Sequence, residues 1–155
     1  MKTVIAASMC ALVLGVTLSA QAQMAPEDQI KTRKAGYSFM AWNMGKIKAQ
    51  VIDQSVEFNQ AQILASANAI AAISNSGMGA LFGPGTESNV GDEVTRVKPE
   101  LFDNIPDVVE LSANLSRATA DLQAQAETGD QTRIRTAFGA VGQACKACHD
   151  KYRQD

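Results

Sequence analysis

Four stretches of this sequence repeat their apolar residues every three to four positions, the period of an α-helix. In the first, Ile30, Tyr37, Met40, Met44, Ile47 and Val51 recur, with Arg33 and Lys34 on the same stripe. The second carries Ile63, Leu64, Ala67, Ile70, Ala71 and Ser74. The third carries Ile105, Val108, Leu111, Leu115, Ala118 and Leu122, and the fourth Ile134, Phe138, Val141, Cys145, Cys148 and Tyr152. Boundary signals agree with this division. Pro26 with Glu27 and Asp28 suits a first helical turn. Asn59 and Gln62 resemble a capping box. Asp103 or Asn104 caps the third helix, whose Pro106 sits in the tolerated first turn. Gly129 ends that helix and Asp130 starts the next. Two connections are short, about 52–58 and 128–130, whereas the one over 75–98 is long and rich in glycine. Within it, Gly83-Pro84-Gly85-Thr86 reads as a turn, because no strand precedes it and no Gly-Lys-Ser/Thr follows. No stretch alternates with the period of a strand. The pattern predicts an all-α fold, an antiparallel up-and-down four-helix bundle, with an orthogonal helical array as the alternative.

The N-terminus is separate from that pattern. Lys2 precedes an apolar run from Val4 to Leu18, and Ala20-Gln21-Ala22 fits a small-x-small cleavage site. This predicts a secretory signal over residues 1–22, cleaved after Ala22, and a folded domain over 23–155. The run is short for a membrane anchor. Bulky Met9 before Cys10 argues against a lipid-modified cysteine. Hydrophobic residues make up 46% of the chain, which excludes a disordered protein. A net charge of −2 argues against nucleic acid and against a polybasic membrane binder.

Cleavage would leave two cysteines, three residues apart, in Cys145-Lys146-Ala147-Cys148-His149. A disulfide there would close a tiny loop and stabilise little. Cys-x-x-Cys-His is instead the attachment pattern of c-type haem. Residues three apart share a helical face, so two thiols can add across both vinyl groups of one porphyrin. His149 follows at once and can offer a nitrogen to the iron. A zinc site would want further ligands, and this chain has a single histidine. A thioredoxin-like motif would want a βαβ context.

A haem motif on the last of four helices resembles cytochrome c′, a class II c-type cytochrome with a four-helix bundle fold. The resemblance covers essentially the whole chain after the signal. Its most specific parts are residues 145–153, Arg33, and Phe82-Gly83-Pro84-Gly85-Thr86-Glu87. It implies His149 as proximal ligand and Arg153 near the proximal face. It implies Arg33 beside a haem propionate, with Lys34 a weaker candidate, and Tyr37 as the residue capping the distal side. Phe82 would pack on the haem or anchor the long loop. Gly36 would leave room for the ring or for a neighbouring helix.

The resemblance further implies one haem c, held through Cys145 and Cys148 in the periplasm, with five-coordinate iron that binds NO and CO. NO could displace His149 and sit near Arg153. The alternative is a six-coordinate, low-spin electron carrier with Met40 as sixth ligand. Enzymatic peroxide chemistry would need a distal acid–base group, and Tyr37 is a poor base. Redox partner proteins are implied, as is a homodimer through the first two helices, where Phe39, Trp42 and Ile47 offer apolar contacts.

Overall fold

The computed structural model describes residues 24–154. The expected export segment and its cleavage after Ala22 lie outside the described residues. Four long helices dominate: α1 (Pro26–Val51), α2 (Gln60–Ser74), α4 (Ile105–Thr128) and α5 (Gln131–Tyr152), with one short helix, α3 (Glu100–Asp103), before α4. They form the expected up-and-down bundle, each long helix packed on its neighbours around the ring α1–α2–α4–α5. Contact between α1 and α5 is the sparsest of the four seams. Among the described residues the only β pairings are the isolated bridges Val90–Glu93 and Val97–Arg153. No described helix is long and apolar enough to cross a membrane.

The caps explain the boundaries. The Asn59 side chain accepts from Gln62 N at 3.0 Å. The return arm of the expected box is relayed: Asn59 N donates to Gln50 Oε1 at 2.7 Å, and Gln50 Nε2 donates to Gln62 Oε1 at 2.6 Å. Asp130 accepts from Thr132 N and Arg133 N, satisfying two orphan donors of α5. Gly129 closes α4 at φ 70°, in the left-handed region that glycine enters without strain. Asn104 holds the N-cap position of α4 but makes no side-chain cap. Its amide instead donates to Glu100 O in α3, at 2.8 Å.

The buried core sits mainly at one end. Ile47 and Val51 of α1 meet Ile63, Ala67 and Ile70 of α2, Leu122 and Ala126 of α4, and Ile134, Ala137 and Val141 of α5. Ile47 is fully buried there, so it is unavailable for the subunit contacts expected of it. Ile105, expected to face inward, is an exposed large hydrophobic residue. The reason is that α3 supplies Leu101 as the buried residue at that end instead.

Candidate functional site

The other end of the bundle is built differently. Cys145 and Cys148 are free thiols, both half-buried, one turn apart on α5. Burial raises the pKa of each above the ordinary thiol value. Across the sparse α1–α5 seam stands Tyr37. Its pKa is raised to about 12, first by desolvation and then by Cys148 and Cys145, against a lowering from Arg33. Tyr37 therefore stays protonated at neutral pH, and the thiol contribution ends once the sulfurs become thioethers. Leu111 on α4 is only half-buried and Tyr37 is 40% exposed, although both occupy inward positions of the helical pattern. A flat, apolar, covalently held ring fits this end, because it would supply the packing that these side chains lack.

His149 follows on the outer side of Cys148 and is exposed. Its pKa is lowered by desolvation first, then by Arg153, with Asp150 raising it and Arg96 lowering it further. Neutral imidazole is the form that ligates metal. Arg153 Nη1 stands 3.4 Å from His149 Nδ1. Among the described residues no cluster of three or more His, Cys, Asp or Glu could hold a metal ion.

The remaining expected residues have other work. Arg33 is 3% exposed and bound to the long loop. Its Nη1 donates to Leu81 O at 3.0 Å and Thr86 Oγ1 at 2.9 Å. Its Nη2 donates to Thr86 O at 3.0 Å and Thr95 Oγ1 at 2.7 Å. The Phe82 ring lies under the guanidinium, 4.6 Å from ring centre to Cζ. Arg33 thus secures the loop, and Phe82 packs against its guanidinium. Lys34 is a surface residue paired with Glu93 at 2.7 Å. Met40 is 5% exposed and belongs to the buried apolar core. The room at Gly36 is taken by Met78 of the loop: an added Cβ would lie 2.9 Å from Met78 Cε.

Two features had no sequence signal strong enough to find them. Gln29 shares the inward face of α1 with Arg33 and also ties the loop, accepting from Gly83 N at 3.0 Å. Asp107, at the start of α4, accepts from Tyr152 Oη at 2.6 Å and from Lys151 Nζ at 2.8 Å. That pair of bonds clamps the first turn of α4 to the last turn of α5, directly after the motif. It holds the Asp107 carboxyl below its usual range and pushes the Tyr152 phenol up to about 12.

The sequence model of the family described as Cytochrome C′ matches residues 28–153, nearly all of the described chain. The chain belongs to the cytochrome c′ family. The cytochrome c′ of Allochromatium vinosum is 54% identical over 155 residues, covering 99% of each chain. A solved cytochrome c′ described as having an unusual ligand-controlled dimer dissociation superposes with a TM-score of 0.82 at 56% identity, over 85% of this chain and 98% of its own. An Alcaligenes xylosoxidans cytochrome c′, a ferrous variant with bound NO, superposes with a TM-score of 0.74 at 32% identity, over 84% of this chain and 96% of its own. Cytochromes c′ are non-catalytic carriers holding one haem c through two cysteines. In this chain those cysteines are Cys145 and Cys148.

Proposed function

We propose that this chain is a periplasmic gas-binding cytochrome c′, exported by residues 1–22, with His149 as the sole protein ligand of a five-coordinate iron. The observation that carries the reading lies at the α1–α5 seam: two half-buried thiols on α5 are near enough to Tyr37 to help raise its pKa, while Met40 is buried in the core. The haem supplies the iron that takes up a diatomic gas and changes oxidation state. Cys145 and Cys148 hold the ring, and His149 orients it from one side. Tyr37, protonated and aromatic, closes the other side without ligating. A ligand must displace that ring to enter, which favours gases with strong bonds to ferrous iron, NO and CO, over dioxygen. The NO-bound relative from Alcaligenes supports this assignment. Arg153 lies where it would meet an anionic or polar group on the His149 side. Arg33 and Lys34 are the α1 cations closest in sequence to Tyr37, and Arg33 would be the residue to hold a propionate.

Two copies pair through α1, where Phe39 and Trp42 are exposed, their rings 5.4 Å apart and tilted at 39°. The related cytochrome c′ whose dimer dissociates under ligand control supports that pairing. The deciding experiment is the absorption spectrum of the ferrous holoprotein before and after CO and NO. A high-spin spectrum that shifts with both gases is expected. A sharp low-spin spectrum unmoved by CO would overturn the reading and make Met40 the sixth ligand of an electron carrier.

A further inference from the structure

Beside His149 lies an open cleft of about 430 Å³, lined by Arg96, Lys98, His149, Asp150, Arg153 and Gln154. Two distant segments build it. Gln154 N donates to Arg96 O at 2.7 Å and Lys98 N to Tyr152 O at 2.9 Å, so residues 96–98 run antiparallel to the C-terminal turn. Arg96 Nε and Nη2 both donate to Gln154 O, at 3.2 and 3.0 Å, which fixes the guanidinium. Among the described residues no carboxylate pairs with Arg96, Lys98 or Arg153. Among the described residues the acid lining the cleft is Asp150, which is bound to Lys146 at 2.5 Å. The C-terminal dipole of α5 draws cations, but it is worth only about half a charge. Among the described residues these three cations therefore have no carboxylate partner, in a chain whose net charge is −2.

We infer that this cleft is a docking surface for the carboxylate-rich face of a redox partner protein, with electrons crossing at the exposed edge of His149. The inference rests on the reading of His149 as iron ligand. A protein face suits the cleft better than a small oxyanion, because Arg96 and Arg153 are exposed and Lys98 half-buried. An ion held there would keep its water, whereas a broad acidic face gains orientation and association rate from the whole cluster.

The test follows oxidation of the ferrous holoprotein by ferricyanide, a trianion, and by tris(phenanthroline)cobalt(III), a trication. One electron passes from the ferrous protein to the oxidant, giving ferric protein and ferrocyanide or the cobalt(II) complex, with no proton transferred. The net negative chain would repel ferricyanide, so its rate would rise with salt. Control by the cleft predicts the reverse: fastest at low ionic strength, falling as salt screens the cluster. Lys98→Glu slows the ferricyanide reaction about tenfold at low salt. Lys48→Glu, the same charge change at the far end of the bundle, alters it less than about twofold. Redox-inert hexacyanocobaltate(III) supplies a binding readout, shifting the amide resonances of Arg96, Lys98 and Arg153 before those elsewhere. A ferricyanide rate that rises with salt, equal effects of the two variants, or resonance shifts away from the cleft would each overturn the inference. The absorption spectrum taken before mixing tests the haem reading separately.

Discussion

Replacing Arg33 with methionine keeps the apolar stem and removes the guanidinium, so it isolates the work of that group. Four hydrogen bonds at 2.7–3.0 Å end on the long loop. Bonds to a charged donor contribute about 1.5–3 kcal/mol each. The four cannot be summed, because they share one side chain and the freed loop can admit water. Two carbonyls and two hydroxyls nonetheless lose a partner in a largely buried setting, so about 3–4 kcal/mol is the expected loss. A domain of this size holds about 5–15 kcal/mol in total. With a urea slope of about 2 kcal/mol per molar, the unfolding midpoint falls by roughly 1.5–2 M. Arg33→Lys keeps the charge but not the fork, and recovers less than about half of that. Hydrogen exchange localises the effect: the amides of Gly83 and Thr86 exchange faster, while those of Ile134 to Val141 change only with global stability. A midpoint shift below about 0.3 M in Arg33→Met would refute the assignment of Arg33 as the loop's anchor.

Other perturbations probe the remaining contacts. Gly129→Ala forces a side chain into φ 70° and brings its Cβ within 2.8 Å of Gln60 Oε1. It should cost about 1–2 kcal/mol from the backbone alone, read by urea unfolding. The Asp107 carboxyl is held below its unfolded value by Lys151 and Tyr152. Its contribution is therefore complete above an unfolded pKa of about 3.9 and is lost as pH falls through the lower folded value. Asp107→Asn should narrow the gap in stability between pH 7 and acid; an unchanged gap would show that other groups set the acid limb. Cys145→Ser and Cys148→Ser together should abolish haem-linked peroxidase staining on a denaturing gel, and each single variant should retain part of it. Trp42→Glu places a charge at a side chain 58% exposed. It should lower the molar mass seen by light scattering from dimer to monomer without changing the absorption spectrum.

Much of the fold could be read from local chemistry. Asp130 and Gly129 are visible as caps because their roles depend on neighbours three residues away. The motif at Cys145, Cys148 and His149 is visible because covalent attachment imposes its own spacing. Arg33 was harder to place. Its position on the inward stripe was correct, but its partners Thr86 and Thr95 lie 53 and 62 residues away, beyond any periodic signal. Met40 shows the same limit in reverse. Its spacing from Tyr37 is compatible with a shared face, yet Met40 is buried in the core while Tyr37 is 40% exposed, which only tertiary packing decides. Arg96 and Lys98 carry no pattern of their own, and only the antiparallel clasp with residues 152–154 brings them to His149.

The two ends of the bundle differ because different materials fill them. At the end formed by Ile47, Ile63, Leu122 and Ile134, aliphatic side chains close the interior. At the motif end, Tyr37, Leu111, Cys145 and Cys148 occupy inward positions and remain partly open. Strong aliphatic packing there would compete with a ring system for the same volume. The cost of leaving it out is offset by polar ties outside the interior. Arg33 and Gln29 hold the long loop to α1, while Asp107 and Tyr152 hold α4 to α5. Such ties are specific about position yet leave the interior open. They fix the loop and the helix ends from outside, so the motif end keeps its form without the aliphatic packing that closes the other end.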